Sequence, residues 1–337
     1  MTGISSRARD AEPLLAVSDL SVRYALRRGL FRPAARLQAV AGVSFELRAG
    51  ETLGIVGESG SGKTSMARAI LRLIPLSAGR VSWLGQSLAD LPPKQLRSLR
   101  REMQIVFQDP LASLDPRMTI LDSVAEPLAV FRRELSRTQR TQEVREMLER
   151  VGLSGEIANR YPHEFSGGQC QRIAIARALI LKPRLLVCDE PVSALDVSIQ
   201  AQIINLLVRL QREMHLSMLF ISHNLAVVRH VSQRVMVLYL GRVMELAPRE
   251  ELYARPRHPY TRALLESIPL IDPALERERA RVTAQGEIPS PLHPPTGCVF
   301  RTRCQWAEPR CGNKVPSLES VSGNHQVACV RWREIAP

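Results

Sequence analysis

The sequence predicts an α/β protein built on a mostly parallel β-sheet with helices on both faces. Apolar strand patterns alternate with amphipathic helix patterns through most of the 337 residues, which is the order that parallel sheets require. The run Leu185-Leu186-Val187-Cys188 is continuously apolar, as expected of a central strand buried on both faces. A glycine-rich segment at residues 57–64 separates one strand pattern from the helix pattern that follows it.

The predicted elements follow in order along the chain. Strand patterns cover residues 14–24, 41–47, 52–56, 81–84, 185–188, 217–221 and 235–240. Helix patterns cover residues 65–73, 135–151, 170–181, 199–213, 225–231 and 260–267. We predict a main domain at residues 12–246, with a β-rich N-terminal part and a helical subdomain at about 111–181, followed by a small cysteine-containing extension at 247–337.

The chain is strongly basic, but its charge does not predict a nucleic-acid partner. It has 46 Lys and Arg residues against 33 Asp and Glu residues, a net charge of +13. The arginines are scattered, often beside acids, and no nucleic-acid recognition motif accompanies them. Attraction to anionic membrane headgroups is compatible with this charge.

The sequence predicts a cytosolic chain. No apolar run reaches the ~18–20 residues needed to span a bilayer. Residues 1–13 also lack the apolar core of a secretory signal.

The glycine-rich segment fits the phosphate-loop pattern G-x-x-x-x-G-K-[ST] in the required position between a strand and a helix. Its glycines let successive amide groups wrap around phosphate, and the dipole of the next helix strengthens this anion site. Lys63 is expected to reach the β- and γ-phosphates, and Thr64 to hold Mg²⁺ through its hydroxyl. The predicted ATP-binding residues here are Gly57, Glu58, Ser59, Gly60, Ser61, Gly62, Lys63, Thr64 and Ser65.

Polar residues at other strand ends complete the predicted site. Asp189 and Glu190 end the central strand, where open α/β sheets bind ligands. We predict that Asp189 joins the Mg²⁺ shell and that Glu190 polarises the water that attacks the γ-phosphate. Gln108 is predicted to touch Mg²⁺ or this water, and His223 to hydrogen-bond the γ-phosphate. Tyr24 is predicted to stack on adenine, with a purely structural role left open.

The segment Ser166-Gly167-Gly168-Gln169 precedes an Ala-rich helix. The free amides and dipole of a helix N-terminus form an anion site, yet in its own domain this segment has no phosphate to contact. We therefore predict that it caps the ATP of a partner domain, and that the chain works as half of a pair. Asp196 is placed to meet the same partner.

Taken together, these motifs closely resemble the ATP-binding subunits of peptide ABC importers, the oligopeptide, dipeptide and nickel permease family. The resemblance covers almost the full chain and is strongest to the second ATPase subunit of oligopeptide importers. Phe165 replaces the usual leucine of the signature, and Thr64 the more common serine of the loop, and both keep the needed chemistry. The resembling segments are VGESGSGKT at 56–64, FQDPLASLDPR at 107–117, YPHEFSGGQCQRIAIARALIL at 161–181, CDEPVSALDVSIQAQ at 188–202, HPYTRALL at 258–265, and the GE-x-PSP and GC-x-F-x-x-RC patterns at 286–304.

The resemblance implies an ATPase that uses ATP and Mg²⁺ to energise peptide import. It implies a heterodimer with a sister ATPase, bound peripherally at the cytoplasmic face of the plasma (inner) membrane under two permease subunits. These permeases would receive peptide from an extracytoplasmic binding protein and press near Gln108. Dipeptide, nickel or glutathione remain alternative cargoes. Soluble ABC ATPases that act on nucleic acid usually have tandem cassettes or long coiled coils, and the sequence shows neither. A small-molecule kinase would not explain the segment at residues 166–169.

Four of the six cysteines lie in the predicted extension. The close C-x₂₋₄-C pairs of structural zinc sites are absent, and a reduced cytosol disfavours disulfides. Four thiolates could hold a structural [4Fe–4S] cluster, as the resemblance also implies, while zinc and the absence of a metal are left open. Cys170 and Cys188 fall inside helix and strand patterns and are interpreted as core residues. The candidate cluster ligands are Cys298, Cys304, Cys311 and Cys329.

Overall fold

The computed structural model describes residues 12–26, 35–268 and 286–335, so most of the segment tested for a secretory signal lies outside the described residues. The strands are β1 (Leu15–Leu26), β2 (Ala35–Leu47), β3 (Thr52–Val56), β4 (Ala78–Trp83), β5 (Gln86–Ser87), β6 (Met103–Val106), β7 (Leu185–Asp189), β8 (Ser217–Ser222), β9 (Arg234–Tyr239), β10 (Arg242–Pro248), β11 (Glu319–Ser322) and β12 (His325–Val327). The α-helices are α1 (Lys63–Ile70), α2 (Pro93–Leu99), α3 (Pro110–Ser113), α4 (Ile120–Phe131), α5 (Arg137–Arg150), α6 (Gly167–Leu179), α7 (Val197–Glu213), α8 (Leu225–Val231), α9 (Arg249–Ala254) and α10 (Pro259–Glu266).

The described strands form two sheets. The smaller has the order β2-β1-β4-β5 and is antiparallel, and the larger has the order β11-β12-β10-β9-β3-β8-β7-β6. In the larger sheet, the neighbours from β9 through β3, β8 and β7 to β6 run parallel. The α/β architecture with a mostly parallel central sheet is therefore confirmed.

The central strands are buried because both faces of the sheet are covered. Every residue of β3, β7 and β8 is buried, as parallel strands joined by crossover connections require. The smaller sheet and α1 pack on one face, and α4 to α8 pack on the other. The carboxyl ends of β3, β7 and β8 therefore lie side by side at one edge of the sheet.

The structure differs from the sequence-based prediction near the end of the main domain. A tight turn at Leu240 and Gly241, both at positive φ (44° and 77°), joins β9 to β10, as in two-residue hairpins. β10 was not predicted, and it also pairs with β12, so residues 319–327 lengthen the central sheet. The predicted boundary at residues 246 and 247 falls inside β10 and stays a prediction.

Among the described residues, no helix is both long and apolar enough to cross a membrane.

Candidate nucleotide-binding and catalytic site

A cavity of about 880 Å³ opens at the edge of the sheet where β3, β7 and β8 end. Its size falls within the ~300–1,000 Å³ of small-molecule sites. The phosphate loop forms much of its wall, and two residues of the predicted extension also reach it. Its lining residues include Tyr24, Glu58, Ser59, Gly60, Ser61, Gly62, Lys63, Thr64, Ser65, Gln108, Glu190, His223, Ile288 and Pro291.

The glycines of the phosphate loop are required by close backbone contacts. Gly62 has a φ of 99°, and a Cβ built on it would lie 2.1 Å from the Ala39 carbonyl oxygen. A Cβ on Gly57 would lie 2.1 Å from the Leu238 carbonyl oxygen. Real side chains do not fit at either position, so the sequence must use glycine where β3 turns into α1.

Lys63 begins α1 and points back into the loop. Its side chain is 4% exposed, and Nζ donates hydrogen bonds to the carbonyl oxygens of Gly57 (2.8 Å) and Glu58 (3.0 Å). Burial lowers the pKa of Lys63, and the carboxylates of Glu190, Asp189 and Glu58 oppose that shift. A buried ammonium held by neutral carbonyls can exchange these partners for phosphate oxygens, which accept stronger charge-assisted bonds.

Thr64 and Asp189, the two predicted Mg²⁺ ligands on α1 and β7, are in direct contact. The Thr64 hydroxyl donates to Asp189 Oδ1 at 2.9 Å, and Asp189 is 2% exposed. Burial raises the pKa of Asp189, while the hydrogen bond from Thr64 opposes this rise. The pair presents hydroxyl and carboxylate oxygens, the ligand types that Mg²⁺ prefers.

Three polar side chains of the cavity converge on Glu190. Its Oε2 lies 3.3 Å from His223 Nδ1 and accepts a 3.4 Å hydrogen bond from Gln108 Nε2. Its Oε1 lies 3.9 Å from Lys63 Nζ. Glu190 has a φ of 49°, and its amide donates to the carbonyl of Ile221 in β8. Non-glycine residues at positive φ cost free energy and cluster at functional sites.

Tyr24 lies on the cavity wall at the end of β1. Its hydroxyl donates to Ser65 Oγ at 3.2 Å, and its ring is half-buried against the core of the smaller sheet. This position would let the Tyr24 ring stack on a base. The ring also packs against the core of the smaller sheet, so a structural role stays open.

The segment Ser166–Gln169 caps α6 away from this cavity. The Gln169 amide donates to Ser166 Oγ, and Gln169 Oε1 accepts from the Ser166 amide at 3.0 Å, which forms a capping box. The described cavity-lining residues include none of these four, and Ser166 and Gln169 are exposed. Gly168 packs beside Ile199 at the start of α7, where a Cβ would lie 2.5 Å from Ile199 Cγ2. Asp196, the exposed N-cap of α7, makes no side-chain capping bond.

The four cysteines of the predicted extension line one small cavity of about 20 Å³. Burial raises the pKa of Cys298, Cys304 and Cys329 to about 11. The side chains of Arg301 and Arg331 line the same cavity. Across the described residues, no group of three or more His, Cys, Asp or Glu side chains is arranged to hold a metal ion. Cys170 and Cys188 are buried in the core, as interpreted from the sequence.

Sequence reasoning missed the contribution of the C-terminal part to the phosphate loop. Arg303 Nη1 donates to Glu58 Oε2 at 2.7 Å, and the Glu58 amide donates to the Tyr260 hydroxyl at 3.0 Å. Ile288 and Pro291 line the nucleotide cavity. The tail patterns that contain these residues were visible in the sequence, but their contacts span more than 200 positions and leave no periodic signal.

Comparison with known proteins gives the family of this chain. The family model "ABC transporter" matches residues 40–193, and the model "Oligopeptide/dipeptide transporter, C-terminal region" matches residues 244–311. The chain is 53% identical to the oligopeptide transport ATP-binding protein OppF of Escherichia coli (strain K12), over 94% of this chain and 96% of that protein. It is 51% identical to the di/tripeptide transport ATP-binding protein DppF of Pseudomonas aeruginosa (strain UCBPP-PA14), over 94% and 97%.

A solved structure extends the comparison to the fold. The dimeric post-hydrolysis state of the ATP-binding cassette MJ0796, bound to ADP and Pi, matches with a TM-score of 0.62 and 30% identity. The match covers 69% of this chain and 98% of the MJ0796 chain.

Proposed function

This chain belongs to the family of ATP-binding subunits of ABC transporters, and we propose that it hydrolyses ATP to energise oligopeptide import across the cytoplasmic membrane. The observation that carries the proposal is the convergence of Gln108, His223 and Lys63 on Glu190 inside one cavity. The two family matches and the peptide-transport names of the relatives support the cargo class. Dipeptide, nickel or glutathione are the alternative cargoes.

The mechanism follows from the positions of the side chains. Lys63 and the amides of the phosphate loop bind the β- and γ-phosphates. Thr64, Asp189 and Gln108 would hold Mg²⁺, which neutralises charge that develops on the phosphates during transfer. Glu190 orients and polarises the attacking water, while His223 donates to the γ-phosphate from the next strand end.

The exposed Ser166–Gln169 segment supports a mechanism that needs a partner. It presents a helix N-terminus that its own nucleotide cavity does not use, so we assign it to the ATP of a sister ATPase. Asp196 is the N-cap of α7, whose Ile199 packs beside Gly168, and it would meet that subunit. We propose that the pair docks under two permeases at the cytoplasmic face of the membrane, and that these receive peptide from an extracytoplasmic binding protein.

Replacing Ser166 by alanine is expected to lower turnover about 10- to 100-fold while leaving ATP binding by the variant's own loop unchanged, because the lost bond to phosphate is charge-assisted (~1.5–3 kcal/mol). ATP affinity and phosphate release by the assembled pair measure the two effects. Ser136→Ala is the matched control, since Ser136 caps α5 with the same capping box. Equal effects of the two substitutions would contradict the role in the partner's site.

The four cysteines support a second proposal, a structural [4Fe–4S] cluster. The four cysteines line one cavity beside two arginines, and thiolates are the ligands of such clusters. Among the described residues, the thiols are not arranged to hold a metal ion, so zinc and a site without metal are the alternatives. Binding would displace the protons that the buried thiols otherwise keep.

Cys304→Ser is expected to abolish iron and sulfide binding in protein purified without oxygen, and to lower thermal stability because the cluster is structural. Iron and sulfide analysis, visible absorption and thermal unfolding measure this. Cys170→Ala, in α6, is the control that should keep the iron. Zinc in place of iron would overturn the proposal, as would iron content insensitive to Cys304. Loss of iron with unchanged stability would refute the structural role.

The transport function can be tested directly. The membrane proteins that co-purify with the chain should include permeases, and cells that lack the chain should lose uptake of labelled oligopeptides. Uptake that persists, with loss of nickel uptake instead, would reassign the cargo.

A further inference from the structure

The Glu58 residue of the phosphate loop is held by groups that lie far away in the chain. Its carboxylate accepts the 2.7 Å hydrogen bond from Arg303 Nη1, and Arg303 is only 8% exposed. Its backbone amide donates to the hydroxyl of Tyr260, which is fully buried. Both the side chain and the backbone of one loop residue are therefore anchored to the C-terminal part of the chain.

These anchors are themselves rigidly packed. Arg303 Nη1 lies 3.4 Å from the Tyr239 hydroxyl. The rings of Tyr239, Tyr260 and Phe300 contact one another, with centroids 4.7–5.4 Å apart. Such aromatic contacts add stability beyond that of the buried area alone. Arg303 therefore pairs with Glu58 while its own side chain is held against a packed aromatic cluster.

Glu58 also contacts Lys63, the lysine of the phosphate loop. The Glu58 carbonyl accepts the 3.0 Å hydrogen bond from Lys63 Nζ, so one residue links Arg303 to Lys63. The Glu58 carboxylate also lies close enough to Lys63 to act on its charge. An unpaired carboxylate at this place would repel the triphosphate, and Arg303 supplies the compensating charge.

We propose that Arg303 is a positioning residue for ATP binding, which acts through Glu58 to fix the first turn of the phosphate loop and to neutralise its one acidic side chain. This role rests on the proposed function of the loop as an ATP site. It makes the C-terminal extension a working part of the nucleotide site, in addition to the Ile288 and Pro291 wall of the cavity.

The test is a double-mutant cycle on the full chain, with the Kd for MgATP as the measured quantity. Arg303→Met is expected to weaken ATP binding about tenfold, since it leaves a carboxylate unpaired beside the phosphates. In a chain that already carries Glu58→Gln, the same Arg303→Met substitution should change the Kd less than about twofold, because the charge it neutralises is gone. An ion pair with only a structural role would lower thermal stability when broken and leave the Kd of the folded chain unchanged.

Two controls separate the possible outcomes. Arg310→Met removes an exposed ion pair with Glu334 and Glu308 in the same extension and should leave the Kd unchanged. Arg303→Lys keeps the cation, should fold, and should bind ATP more tightly than Arg303→Met. Equal affinities of Arg303→Met and the parent chain, or equal losses with and without Glu58→Gln, would overturn the role of Arg303. A parent chain that binds no ATP, or a Lys63→Ala variant that binds it normally, would instead overturn the proposed function.

Discussion

Replacing Glu190 by glutamine is expected to reduce ATP turnover about 10²- to 10⁴-fold, with ATP binding intact and the ATP-bound pair trapped. Glutamine keeps the shape of Glu190 and can keep the contacts with His223 and Gln108, but it cannot draw a proton from water. Removing the negative charge also removes repulsion of the γ-phosphate, so the closed pair persists. Phosphate release, ATP titration and light scattering with and without ATP measure these effects.

Glu213→Gln is the matched control for this substitution. Glu213 ends α7, is half exposed and forms a 3.9 Å ion pair with Arg209, so its loss should change neither turnover nor dimerisation. A Glu190→Gln variant that hydrolyses ATP at the full rate would refute the assignment of Glu190. A variant that neither binds ATP nor dimerises would refute the expectation that ATP binding and pairing survive the loss of this charge.

The residues of the candidate nucleotide site could be grouped from the sequence because the order of the parallel strands brings their ends together. β3, β7 and β8 are parallel neighbours, so the residues that follow them must meet at one edge of the sheet. Lys63, Glu190 and His223 follow these three strands, and the structure places them around one cavity. The sequence did not predict that Gln108 and His223 both contact the Glu190 carboxylate. Strand order determines which residues lie near one another, but it does not determine the rotamers of their side chains.

The C-terminal contacts could not be predicted, for a different reason. The ion pair between Glu58 and Arg303 joins positions 245 residues apart, and single charged residues carry no periodic signal. β10 was missed because the strand predicted at residues 235–240 was interpreted as the one that closes the core. The four cysteines were grouped by residue type alone, and their shared cavity depends on turns such as the one closed by the hydrogen bond from the Cys298 amide to the Cys311 carbonyl (2.8 Å).

Lys63→Ala is expected to abolish ATP binding or turnover, with a loss of affinity of about 10²-fold or more. Each lost charge-assisted hydrogen bond to phosphate is worth ~1.5–3 kcal/mol, and tenfold in affinity corresponds to about 1.4 kcal/mol. The loss is enlarged because Lys63 offsets the Asp189 and Glu190 carboxylates, whose repulsion the triphosphate would then meet alone. ATP titration and phosphate release measure both quantities.

Lys94→Ala is the control for this substitution, since Lys94 is an exposed residue of α2 and alanine suits a helix. Thermal unfolding without nucleotide shows whether the Lys63 variant is folded, because Lys63 Nζ also joins Gly57 and Glu58 within the loop. A folded Lys63→Ala chain that binds ATP as tightly as the parent would show that the phosphates do not lie in this loop. The roles of Thr64, Asp189 and Glu190 would then fail with it, since each role assumes phosphates bound in the same loop.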